Sequence, residues 1–318
     1  MQMKRAARAR TVLKYFSLIV VLSITALLTW LRWESNLSRD DWFNDRQGRI
    51  ADIVTQESIS EDGQLSESVR LKSDSGLEVF FRVIRDLNSD APRPVLLILG
   101  GHRTGSDAVD LFGRVDQRAI VGMDYPYDGP DKVKGVIPVL RTIPPARRAI
   151  LDIVPAVSLV LDWLLEQVWV DKEKVIIVGA SFGVPFAATA AARDQRIRGV
   201  MLIHGAADIR LWLEVQVARR IDTQFLHYPL GTILYWLAYG PVFDTGKRIA
   251  AVTPRPVLIV GARNDERTPA GQAEVLFDSA GEPRRLRFTE GQHIQPNRKS
   301  IVDELLRIAD EESSFLTQ

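Results

Sequence analysis

From Ser66 onward the chain alternates between two hydrophobic periods. The segments "ESVRLKS" and "LEVFFRVIR" alternate apolar and polar residues around "DSG", which predicts a two-stranded hairpin. "PVLLILGG" is an uninterrupted apolar run ending in glycines, and "KVIIVG", "IRGVMLIHG" and "RPVLIVGA" each hold an apolar core of four or five residues. Such runs are expected of strands buried on both faces. "RAIVGMDYP" and "PRRLRFTEG" add two further strands. Between them lie segments with helical spacing. One starts near Ser106. Another covers Ala146 to Val168, with Ile150, Val154, Val157, Leu161 and Leu164 on one face and a kink or restart at Pro155. A third follows Gly179 in small residues, and "SIVDELLRIADEE" closes the chain as an amphipathic helix. Strands alternating with helices predict an α/β fold, a mostly parallel sheet with helices on both faces. Sites in such sheets form beyond the carboxyl ends of the strands.

Two stretches break this rhythm. Between Gly205 and Arg255 lie about fifty residues, too many for one crossover helix and rich in Trp, Tyr and Leu. We expect residues 206–252 to be a helical cap insertion that supplies an apolar pocket, with core packing or a second membrane-touching element as the alternatives. At the N-terminus, Tyr15 to Leu31 carries no charge, and Lys4, Arg5, Arg8, Arg10 and Lys14 precede it. That length sits at the lower limit for crossing a hydrocarbon core of about 30 Å. Residues 1–33 are therefore expected to be a signal anchor or transmembrane helix, with residues 15–31 in the membrane and 34–65 as a juxtamembrane linker or short helix before a domain over 66–318. The basic flank predicts a cytoplasmic N-terminus and a catalytic domain outside the cytoplasm. A secreted form after signal-peptide cleavage is the alternative. Asp152 and Asp162 argue against a second span.

Composition narrows the chemistry. The 318 residues have a formal net charge of +1, with six basic and no acidic residues in 1–33, so the remainder is at −5. Nothing in that balance points to nucleic acid. Cysteine is absent, which excludes disulfides, thiolate metal sites and a cysteine nucleophile. The four histidines keep the search for a base short.

Gly179-x-Ser181-x-Gly183 lies where a buried strand meets a helix. A serine on so tight a turn is forced into strained backbone, and the flanking glycines keep side chains out of the neighbouring elements. Its hydroxyl needs a base oriented by an acid. His293, in the loop after the last strand, is the candidate base. Asp265, after the "VLIVGA" strand, is the candidate acid, with Asp208 as an alternative position. His204 reads as core, His227 as part of the cap, and Arg103 as a solvated loop residue or an anion ligand.

With these residues in place the chain resembles the α/β-hydrolase superfamily over roughly Ser66 to Asp310. "VDKEKVIIVGASFG", "VLIVGARNDERTP" and "EGQHI" are similar to its nucleophile elbow, acid loop and histidine loop, in that order. The resemblance lies with its esterases, dienelactone hydrolases and prolyl-oligopeptidase-like domains. It implies a Ser181–His293–Asp265 triad and an oxyanion hole from the backbone N–H groups of Phe182 and of Gly101 or His102. It also implies acyl transfer without a metal or organic cofactor. The expected activity is cleavage of a carboxylic ester or thioester with an acyl chain. A peptidase, an acyltransferase and a catalytically silent membrane-tethered module are the alternatives. Two positions depart from the pattern: many members carry glycine where this chain has Val184-Pro185, and "GGHRTG" is not the usual histidine-first oxyanion loop.

Overall fold

The computed structural model describes residues 2–318 except 60–62, 88–90, 102–103, 116, 131–132 and 134. Helices α1 (Gln2–Ser35) and α2 (Asp40–Gln47) lead into strands β1 (Ile50–Ile59), β2 (Gln64–Ser73) and β3 (Glu78–Asp86). Then come β4 (Arg93–Leu99), a 3-10 turn at Gly105–Leu111, β5 (Ala119–Met123), α3 (Val136–Leu164) and β6 (Val170–Ala180). A 3-10 turn at Ser181–Gly183 opens α4 (Val184–Arg193), followed by β7 (Gly199–Ile203), α5 (Ile209–Ala218), α6 (His227–Leu237) and α7 (Thr245–Ala250). The chain closes with β8 (Val257–Ala262), α8 (Gln272–Ser279), β9 (Arg284–Thr289), α9 (Lys299–Glu311) and α10 (Ser313–Leu316).

Among the described residues the strands form one sheet in the order β1-β2-β3-β5-β4-β6-β7-β8-β9. The β1–β2, β2–β3 and β3–β5 pairs are antiparallel, and every pair from β5–β4 to β8–β9 is parallel. This is the mostly parallel sheet expected from the apolar runs. The "DSG" turn joins β2 to β3, with Gly76 at φ 76°, a conformation that favours glycine.

Residues 34–65 hold the short helix α2 and, beyond what the sequence suggested, the strand β1. Phe43 of α2 is buried against Phe243, and Arg46 grips Asp152 of α3 with both Nε and Nη2 at 3.0 Å. Strand β1 is exposed along nearly all its length and is held through its ladder with β2. A strand without a buried face has no hydrophobic period to announce it. Helix α3 likewise starts at Val136, well before Ala146, and contains Pro144, Pro145 and Pro155. Its first turns leave Ile137, Val139 and Leu140 exposed, so no core-facing stripe marks them. Asp152 and Asp162, the residues that spoke against a second span, pair with Arg46 and Arg196 in the folded domain.

Helix α1 contains an apolar segment, Leu13–Ser35, long and apolar enough to cross a membrane. Its C-terminal end is clamped to the domain. Leu31 and Ser35 are buried, and Glu34 pairs with both Arg39 and Arg147, whose guanidinium groups stack on the Tyr239 ring.

The segment expected as a cap divides in two. Helices α5 and α6 pack on each other beside the carboxyl edge of the sheet; Gly231 permits the close crossing, since a Cβ there would lie 2.9 Å from Cα of Glu214. Helix α7 instead packs on α4 and α8, with Ile249 buried in the core.

Candidate active site

The β6–α4 junction sets the geometry. Ser181 takes φ 53°, a left-handed conformation that costs a non-glycine residue ~1–3 kcal/mol. The turn is steep because its neighbours are close. A Cβ on Gly183 would sit 2.0 Å from the Leu99 carbonyl oxygen, and one on Gly179 would sit 2.7 Å from Cβ of Ala187. Both glycines are therefore required by space. The departure at Val184 has a counterpart at the end of the next strand: a Cβ on Gly205 would meet Cγ1 of Val184 at 2.4 Å. The absence of a side chain at Gly205 makes the room that Val184 needs. Pro185 lies in the first turn of α4, where its missing N–H is not needed.

The structure brings Ser181, His293 and Asp265 together from three loops at the carboxyl edge. His293 Nε2 lies 2.7 Å from Ser181 Oγ, and His293 Nδ1 lies 2.9 and 3.0 Å from the two Asp265 oxygens. His293 is buried. Asp265 Oδ1 also accepts the backbone N–H groups of Arg267 and Thr268, at 2.8 and 2.7 Å. Burial opposes ionisation of Asp265, but the His293 hydrogen bond and these two amides outweigh it and hold the carboxyl below its usual range. Asp208 is elsewhere: its carboxylate caps α5 by accepting the Leu211 N–H at 2.9 Å. His227 belongs to the start of α6, its Nε2 2.7 Å from the Ile221 carbonyl.

Of the oxyanion candidates, Phe182 follows the serine on the turn, and Gly101 follows β4. His102 and Arg103 lie outside the described residues. Tyr125, just beyond β5, donates its hydroxyl to the Gly100 carbonyl and packs edge-on against Phe182, ring centroids 5.4 Å apart. Burial pushes the Tyr125 phenol up, so it stays protonated and remains a donor. Its place after a strand was the only signal of this role in the sequence.

A second layer holds the histidine loop. Glu266 accepts the His293 N–H at 3.0 Å and pairs with Arg298, which also donates to the His293 carbonyl. His204, at the end of β7 with φ 50°, is buried as its sequence context implied. Its Nδ1 accepts the Ile294 N–H at 2.8 Å, which leaves Nε2 to donate to Thr289 Oγ1 at 3.1 Å. Burial and the neighbouring His293 depress its pKa to about 4, so it stays neutral at neutral pH. His204, Asp265 and His293 lie close enough to suggest a metal cluster, yet these hydrogen bonds already occupy all four ring nitrogens.

Two hollows open beside Ser181. One lies beside α5 and the turn that follows α6 and is lined by Phe186, Ile209, Trp212 and Phe243. The other passes Gly100 and Ala180 and continues between the sheet and α9.

Comparison with known proteins agrees with this architecture. Residues 153–309, just under half of the chain, match the model of the prolyl oligopeptidase family. Acetyl xylan esterase from Paenibacillus sp. R4 superposes with a TM-score of 0.60 at 14% identity, covering 86% of this chain and 95% of that one. Acetyl Xylan Esterase 1 from Thermoanaerobacterium sp. JW/SL YS485 superposes with a TM-score of 0.55 at 14% identity, covering 84% and 91%. A cold-adapted esterase from an Arctic intertidal metagenomic library gives 0.53 at 17%, covering 79% and 97%. No curated protein matches by sequence. The chain has the α/β-hydrolase fold, and over residues 153–309 it is similar to the prolyl oligopeptidase family.

Proposed function

We propose that the protein is a membrane-anchored esterase in which Ser181, His293 and Asp265 form the catalytic triad. The observation that carries this reading is the 2.7 Å contact between Ser181 Oγ and His293 Nε2 at a serine held at φ 53°. Ser181 Oγ attacks the ester carbonyl while His293 Nε2 takes its proton. The Asp265 carboxylate, kept ionised, orients the imidazole and stabilises its charged form. Backbone N–H groups of Phe182 and of Gly101 or His102 hold the developing oxyanion, each worth ~3 kcal/mol. His293 returns the proton to the leaving alkoxide as the carbon–oxygen bond breaks. Water, deprotonated by the same nitrogen, then releases the acid and restores the serine.

Helix α1 is the anchor in this reading. Its basic N-terminal flank stays in the cytoplasm, and the hydrolase domain stands on the opposite side. The clamp of Glu34 onto Arg39 and Arg147 supports a fixed distance between membrane and site.

Incubation with a fluorophosphonate probe tests the core of this reading. Wild type is labelled and Ser181→Ala is not; equal labelling of the two proteins, or labelling of neither, rejects it. The prolyl oligopeptidase match favours a peptidase as the second reading. Turnover of amide but not ester substrates would select it.

A further inference from the structure

The hollow between the sheet and α9 has a volume of about 820 Å³, within the range of small-molecule sites. Its walls are aliphatic: Leu96, Ile98, Val178 and Met201 on the sheet side, Leu305 and Ala309 on the helix side. Among the described residues the polar lining side chains besides Ser181, namely Thr104, Gln216, Arg220, Arg267 and Gln295, come from the cap and the post-strand loops. From Val302 to Ala309 the lining follows two turns of α9, ~10 Å of axis. Among the described residues the β4–β5 crossover carries a short 3-10 turn at Gly105–Leu111 rather than a full helix, and the hollow opens along the sheet beside α9.

We propose that this hollow receives the acyl chain of the substrate and makes the enzyme selective for esters of long, unbranched fatty acids. This rests on the reading of Ser181 as nucleophile. The chain enters at Ser181, where its carbonyl is attacked, and its tail runs inward along β6 and α9. A carbohydrate or peptide in the same space would leave hydroxyl or amide groups without partners, because among the described residues the sheet and α9 walls carry only apolar side chains. A hydrocarbon tail needs none.

The full-length protein in detergent is assayed on p-nitrophenyl acetate, octanoate and palmitate, with Ala108→Trp and Ala309→Trp as variants that fill the hollow. Wild type has kcat/KM for octanoate or palmitate about tenfold or more above that for acetate. Each filled variant lowers that long-to-short ratio by at least about tenfold. Thermal melting and fluorophosphonate labelling show that each variant is folded, and Leu305→Phe serves as a milder plug if tryptophan does not fit. A second readout is independent of turnover: Ser181→Ala binds a fluorescent fatty acid, and Ser181→Ala combined with a plug loses that binding. A wild type that favours acetate, or plugs that leave both the ratio and the binding unchanged, overturns the proposal. A wild type without ester turnover or labelling rejects the role of Ser181 instead, and the fatty-acid titration then decides the hollow by itself.

Discussion

The two faces of the central sheet are built from the same residue types yet pack differently. On one face Leu97 and Ile177 are fully buried beneath α3 and α4, in a core that also takes Phe43 from α2 and Ile249 from α7. On the other face Leu96, Ile98, Val178 and Ile203 keep 5–6% exposure, because α9, α10 and one 3-10 turn do not fill the space above them. Leu96 and Leu97 are neighbours on one strand, identical in side chain, and a single residue step puts one against the hollow and the other in dense packing. The densely packed face fixes the position of the turn that carries Ser181. The hollow face leaves room for a ligand.

The largest effect should fall where the two faces meet. His293→Ala is expected to lower kcat/KM on any cleaved ester by about 10⁴ or more, measured under first-order substrate conditions. Loss of less than about tenfold would break the link between the edge geometry and catalysis.

Next comes the pair of leucines. Leu97→Ala should cost about 3–5 kcal/mol in denaturant unfolding, since it opens a cavity in a close-packed region. Leu96→Ala should cost about 1–2 kcal/mol, because it enlarges space that already exists and removes fewer contacts. Equal costs would mean that the two faces are equally packed in solution.

A third expectation concerns pH. His204 is held neutral in the fold with a pKa near 4, against an ordinary value of 6.5. Between those values the unfolded chain binds a proton that the folded chain does not, so stability is full above pH 6.5 and falls as pH drops toward 4. The loss from this group is on the order of 3 kcal/mol and should be absent in a folded His204→Gln variant. Chemical denaturation across that window checks it; parallel curves for the two proteins would remove His204 from the account.

The smallest effect distinguishes two aspartates. Asp208→Ala removes a helix cap and should cost about 1 kcal/mol of stability with the activity kept. Asp265→Ala should instead lower kcat/KM by about 10³ or more. The opposite pattern would return the acid to Asp208.

Much of this was legible in the chain. Apolar cores of four or more residues announced β4, β6, β7 and β8, because a strand covered on both faces is apolar on both. The order of Ser181, Asp265 and His293 after successive strands marked a candidate site before any distance was known. Strand β1 stayed hidden because its binding to β2 is a matter of main-chain pairing, which any sequence can provide. The role of Tyr125 stayed hidden because a hydrogen bond to the Gly100 carbonyl depends on the separation of two loops far apart in sequence.

By itself, then, the sequence determined the strands with a buried face, the strained turn and the residues able to do acyl chemistry, since those follow from local pattern and side-chain type. The tertiary structure decided that His293 meets both Ser181 and Asp265 and that Asp208 turns away to cap α5. It decided that Gly205 makes room for Val184, and that one face of the sheet stays hollow. Each of these is a distance between segments remote in the chain, and only the packing of whole elements sets such distances.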